Sequence, residues 1–108
     1  MAAKLDPKLK KIVETLKEEF NPSRLFLFGS RAGKAHRKDS DYDFVLVVPG
    51  NKKSRLSNMN MASDLLFEKF KISADVFVYS EKEFNEWKDE LNSIPETALN
   101  TGREFDLG

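Results

Sequence analysis

The sequence predicts an α/β (α+β) fold, a mixed β-sheet with helices packed on it. Three apolar runs, residues 25–28, 42–48 and 73–79, have strand character. Stretches with apolar residues at helical spacing flank and separate them. The first two runs are joined by a short loop, which suits an antiparallel pair. The third is reached through a long helical stretch, which suits a parallel return.

Each element has a local reason. Asp6-Pro7 reads as an N-cap followed by proline at the first helical position. Leu9, Ile12, Val13, Leu16 and Phe20 then fall on one helical face, with Lys and Glu between them. Asn21-Pro22-Ser23 stops that helix. Leu25-Phe26-Leu27-Phe28 has no polar interruption and predicts a strand buried on both faces. Residues 29–40 carry Gly, Ser, Arg, Lys and Asp and read as a loop with room for one helical turn. Tyr42 to Val48 is the second strand, closed by Pro49-Gly50-Asn51. Leu56, Met59, Leu66 and Phe70, with Ala62 and Ser63 between, predict a second long helix. Ser73 to Tyr79 is the third strand. Ser80-Glu81-Lys82-Glu83 has the form of a capping box, and the helix it starts shows Phe84, Trp87, Leu91 and Ile94 at helical spacing. Pro95 begins a last short helix through Leu99 that ends near Gly102.

Composition narrows the function classes. A chain of 108 residues has the length of one domain, so residues 1–108 are expected to form a single unit. Lys plus Arg and Asp plus Glu both number 18, and this balance argues against a protein that coats nucleic acid. No direct nucleic-acid binding is expected. The absence of cysteine excludes disulfides, thiolate metal sites and Cys nucleophiles, and the single histidine, His36, excludes a multi-His metal site made by one chain. No apolar run approaches the roughly 20 residues that span a bilayer. Met1-Ala2-Ala3-Lys4 lacks the apolar core of a signal peptide, so the default expectation is a cytoplasmic protein.

The chemistry concentrates in "LFGSRAGKAHRKDSDYDFVLVV", residues 27–48. Residues two apart on a strand share a face, so Asp41, Asp43, Val45 and Val47 point one way and Tyr42, Phe44, Leu46 and Val48 the other. Two adjacent carboxylates repel unless a cation or water lies between them. Asp75, inside Ala74-Asp75-Val76, is out of keeping with strand propensity, and it comes beside Asp43 if the third strand neighbours the second. Three carboxylates make a hard oxygen site suited to Mg²⁺ or Mn²⁺. Two such ions about 3.5–4 Å apart clamp the attacking and leaving oxygens of a phosphoryl transfer. Opposite them, Gly29 lets a phosphate approach the backbone, Ser30 adds a hydroxyl and Arg31 a planar charged fork. Phosphate donors facing metal carboxylates describe a nucleoside triphosphate site.

These residues resemble the minimal nucleotidyltransferase (MNT) family of the DNA polymerase beta-like superfamily. The pattern is Gly-Ser, about ten residues, Asp-x-Asp and a later acidic residue. It reads here as Gly29-Ser30, Asp41-Tyr42-Asp43 and Asp75, within "GSRAGKAHRKDSDYD". Gly33 directly after Ala32 departs from the glycine placement common in the family, which affects the loop tip and not the carboxylates. The resemblance implies the polymerase beta-like nucleotidyltransferase fold and transfer of a nucleoside monophosphate to a hydroxyl with release of pyrophosphate. It implies that Asp41 and Asp43 hold two Mg²⁺ ions, that Asp75 binds the catalytic ion and helps activate the acceptor, and that Gly29, Ser30 and Arg31 hold the phosphates. Short relatives are antitoxins that adenylylate a tyrosine on a HEPN-domain ribonuclease toxin, with ATP as donor, and also bind that toxin directly. A HEPN partner is therefore expected here. The alternative is a non-catalytic antitoxin that neutralises the toxin by complex formation. Association with itself or with another chain stays open.

Plainer readings stand beside these. Asp41 and Asp43 can be a solvated strand start, Asp75 a charge guarding an edge strand, and Arg31 a surface ion-pair partner. Lys34, Arg37 and Lys38 read as a solvated loop tip that also attracts triphosphate. His36 receives no role. Met59, Met61, Phe84 and Trp87 read as packing residues. The agreement of several independent choices favours the site over the plain reading of the aspartates.

Overall fold

A computed structural model of the chain describes residues 7–29, 42–50 and 55–107. In chain order the elements are α1 (Pro7–Phe20), β1 (Arg24–Phe28), β2 (Tyr42–Val48), α2 (Arg55–Phe70), β3 (Ala74–Ser80), α3 (Glu81–Trp87), α4 (Ile94–Thr101) and β4 (Arg103–Glu104). The expected Asp6 cap and the loop with its helical turn, including Lys34, His36, Arg37 and Lys38, lie outside the described residues.

The four strands form one sheet in the order β3-β2-β1-β4. β1 and β2 are antiparallel, β2 and β3 parallel, as the two connection lengths predict. β4 pairs antiparallel with β1, Phe26 opposite Glu104 and Leu27 opposite Arg103. No sequence pattern announces a strand of two residues.

Alternation along the strands divides the interior into two cores. Leu25 and Leu27, Tyr42, Phe44, Leu46 and Val48, and Ala74, Val76 and Val78 pack with Leu9, Ile12, Val13 and Leu16 of α1 and Ala62 and Leu66 of α2. The other face carries Phe26, Val45, Val47 and Tyr79 against Phe84 of α3 and Ala98 of α4. The sheet is therefore a middle layer, and β1 and β2 are buried on both sides.

Helix ends follow local chemistry. α1 closes at Asn21, whose φ of 48° is the left-handed conformation Asn tolerates, with its N–H bonded to the Lys17 carbonyl at 2.9 Å. The capping box forms as predicted: Glu83 N–H donates to Ser80 Oγ at 3.1 Å and Ser80 N–H to Glu83 Oε1 at 2.9 Å. α4 ends where Gly102 crosses β1, and a Cβ there would meet the Ala98 oxygen at 2.5 Å and the Leu27 oxygen at 3.0 Å.

Two expectations are corrected. Leu56 is 66% exposed, because the buried stripe of α2 is Asn58, Ala62 and Leu66. Position 56 lies about 160° around the helix from 58. The helix after Ser80 also stops at Trp87 instead of running to Ile94. Asn92 takes a φ of 66°, and Ser93 starts a new helix by accepting from Glu96 N–H at 3.2 Å while donating to the Trp87 carbonyl at 2.7 Å. The break takes Leu91 off the sheet, leaving it 81% exposed and Trp87 49% exposed. Phe84 alone of that predicted set is fully core; Ile94 packs at the core edge from α4. Among the described residues no helix is long and apolar enough to cross a membrane.

Candidate active site

The parallel register places Asp43 directly beside Asp75. Neighbouring strands run about 4.8 Å apart, and in-phase residues share a face. Both carboxylates lie on the side that bears α3 and α4, at the end of the sheet where β2 and β3 begin. Asp43 is half-buried and Asp75 exposed. The predicted juxtaposition is thus present, although β3 is also an edge strand, as the plainer reading of Asp75 requires.

Local bonds hold this end in register. Tyr42 N–H donates to the Ser73 carbonyl at 3.2 Å, and Ser63 Oγ of α2 donates to the Ala74 carbonyl at 2.7 Å. They pin the start of β3 at the two residues that precede Asp75. Beneath Asp43 on the opposite face, the Tyr42 and Phe44 rings stack at 5.9 Å.

On the other flank of Asp43 stands β1. Phe28 is its cross-strand partner, and Gly29 follows with a φ of 76°. A Cβ built on Gly29 would lie 2.6 Å from Asp43 Oδ2. Gly29 is exposed, so its backbone is open to a ligand. Gly29 therefore sits close against the Asp43 carboxylate, on the side where a phosphate donor is expected.

Sequence reasoning did not mark Phe28 and Phe77 for the site. They share the carboxylate-bearing face, and their rings meet at 6.0 Å and 50°. They form an apolar shelf between the aspartates and the core below. The available signal was their phase, since Phe77 is two residues beyond Asp75 and Phe28 directly precedes Gly29.

Ser30, Arg31 and Asp41 lie outside the described residues. Among the described residues no group of three or more His, Asp or Glu side chains is placed to hold a metal. Asp43 and Asp75 supply two. Their hard oxygens, like charge and adjacency fit a divalent cation of the Mg²⁺ type.

A family model described as "Polymerase beta, Nucleotidyltransferase" matches residues 10–92. The match runs from α1 through α3 and includes the loop, both acidic strands and Gly29. No curated protein and no solved structure gives a significant match.

Proposed function

The chain belongs to the polymerase beta nucleotidyltransferase family, and from that premise we propose that it is an MNT-type antitoxin that adenylylates a tyrosine of a HEPN-domain toxin in the cytoplasm. The observation that carries a working site is the pairing of Asp43 with Asp75 on one face, beside Gly29. A structural charge on an edge strand needs only Asp75. It gives no reason for a second carboxylate at the same register position on the inner strand.

In this reading Asp41, Asp43 and Asp75 hold two Mg²⁺ ions, with Mn²⁺ as substitute. Bound there, such ions polarise the reacting phosphate and neutralise charge that develops on it. Gly29, Ser30 and Arg31 receive the β- and γ-phosphates of ATP, which orients the α-phosphate toward the acceptor. Asp75, exposed on the edge strand, helps take the hydroxyl proton of the acceptor. Attack of the tyrosine oxygen forms the new P–O bond, the bond to the β-phosphate breaks, and pyrophosphate leaves.

Incubation with α-labelled ATP and Mg²⁺, with and without the HEPN protein of a neighbouring gene, tests this. Label should appear on the HEPN chain. Asp43→Asn and Asp75→Asn should each lower it at least about 100-fold, the scale of losing one fixed electrostatic stabiliser, with unchanged circular dichroism. Undiminished labelling by Asp43→Asn would show that the site is misassigned.

The exposed Trp87 and Leu91 favour the second reading, a non-catalytic antitoxin that acts by covering its toxin. It predicts a complex that silences the ribonuclease equally well with Asp43→Asn. Association of the chain with itself would appear as a larger mass in light scattering before the partner is added.

A further inference from the structure

We propose that Gly29 is a positioning residue for the Asp43 carboxylate, beyond any contact it makes with phosphate; the inference rests on the nucleotidyltransferase reading of the site. Two observations meet at this residue. Its φ of 76° lies where an L side chain is strained. Independently, a Cβ in this place would come within 2.6 Å of Asp43 Oδ2, closer than nonbonded atoms approach.

The second observation has a directional consequence. Asp43 Cβ is set by the β2 ladder, with Phe28 paired on one side and Asp75 on the other. Its carboxylate is the movable part. A methyl group at position 29 therefore rotates the carboxylate away from the β1 side or pushes the turn off the strand. Either change alters the placement of Oδ2 relative to Asp75. The start of the phosphate-binding turn and one metal-binding carboxylate are one steric unit, and the glycine sets both.

A role confined to phosphate approach and a positioning role differ when no nucleotide is present. Mn²⁺ binding to the nucleotide-free full chain, followed by electron paramagnetic resonance, reads the difference. Gly29→Ala should weaken Mn²⁺ affinity about 10–100-fold, the range for lost support of a metal ligand. Added to Asp43→Asn it should weaken affinity no further. Unchanged Mn²⁺ affinity in Gly29→Ala would overturn the proposal.

Melting temperatures in EDTA for the wild type, Gly29→Ala, Asp43→Ala and the double variant supply a second readout. Backbone strain at position 29 persists without the Asp43 carboxylate, while the clash with Oδ2 disappears. The melting-point loss from Gly29→Ala should therefore be smaller in the Asp43→Ala background. Equal losses in both backgrounds would show that the carboxylate is not crowded, and the proposal would fall. A wild type that takes up no Mn²⁺ would sink the nucleotidyltransferase reading of the site, and the melting cycle would then decide the Gly29 contact by itself.

Discussion

At the scale of single residues, the clearest electrostatic feature lies away from the site. Arg24 donates from Nε to Glu104 Oε2 at 2.9 Å and from its terminal amine to Oε1 at 2.8 Å. Its guanidinium also lies 4.9 Å from the Phe26 ring centre, so β4 is fastened to β1 by a fork over an aromatic plate. The hydrogen bond from Arg24 is the main cause that holds the Glu104 carboxyl below its usual value of 4.5. A lowered folded-state pKa means stability that is complete above the unfolded value and fades as pH falls through the lowered one. The side chains are 38% and 43% exposed, so the contribution stays below about 1 kcal/mol and shrinks with salt. Glu104→Gln should therefore lower stability slightly at pH 7 and flatten its fall below pH 4.5. Urea midpoints across that pH range check this.

At the scale of elements, helix starts were legible because their signals are covalent neighbours. Ser80 and Glu83 are three residues apart, and the capping box closes without help from the rest of the chain. Ser80→Ala should cost about 1 kcal/mol by removing the acceptor for Glu83 N–H. A lower urea midpoint with an unchanged slope would match that loss. The length of the following helix was less legible. Phe84, Trp87, Leu91 and Ile94 keep helical spacing, yet Ser93 caps a second helix and splits the run. Periodicity reports which residues could share a face; a competing cap decides whether the face is continuous.

At the scale of the molecule, the sheet makes two interiors, and a residue's energetic weight depends on which surface it joins. Leu66 is fully buried in the core beneath α1 and α2, whereas Leu56, on the same helix, is 66% exposed. Leu66→Ala should destabilise by about 2–5 kcal/mol, transfer and cavity terms together. Leu56→Ala should stay within about 0.5 kcal/mol. Chemical denaturation of the two variants separates the faces, and equal losses would contradict the packing described.

α1, the limits of β2, the capping box and the phase that puts Asp43 opposite Tyr42 and Phe44 all follow from the order of residues along the chain. Each is a matter of neighbours or of a fixed period. The sequence also carried the family motif and a helical crossover that favours a parallel return of β3, which lets Asp75 come beside Asp43 if the two strands are neighbours. The rest depends on how distant segments meet. The register of β3 fixes Asp75 level with Asp43 and not a residue away. Gly29, directly after β1, lies against the Asp43 carboxylate. β4 pairs with β1 and is fastened there by an ion pair between residues far apart in the chain. Trp87, apolar and at helical spacing, faces outward. Burial and side-chain contact between distant segments depend on where those segments meet, and no local pattern encodes that meeting.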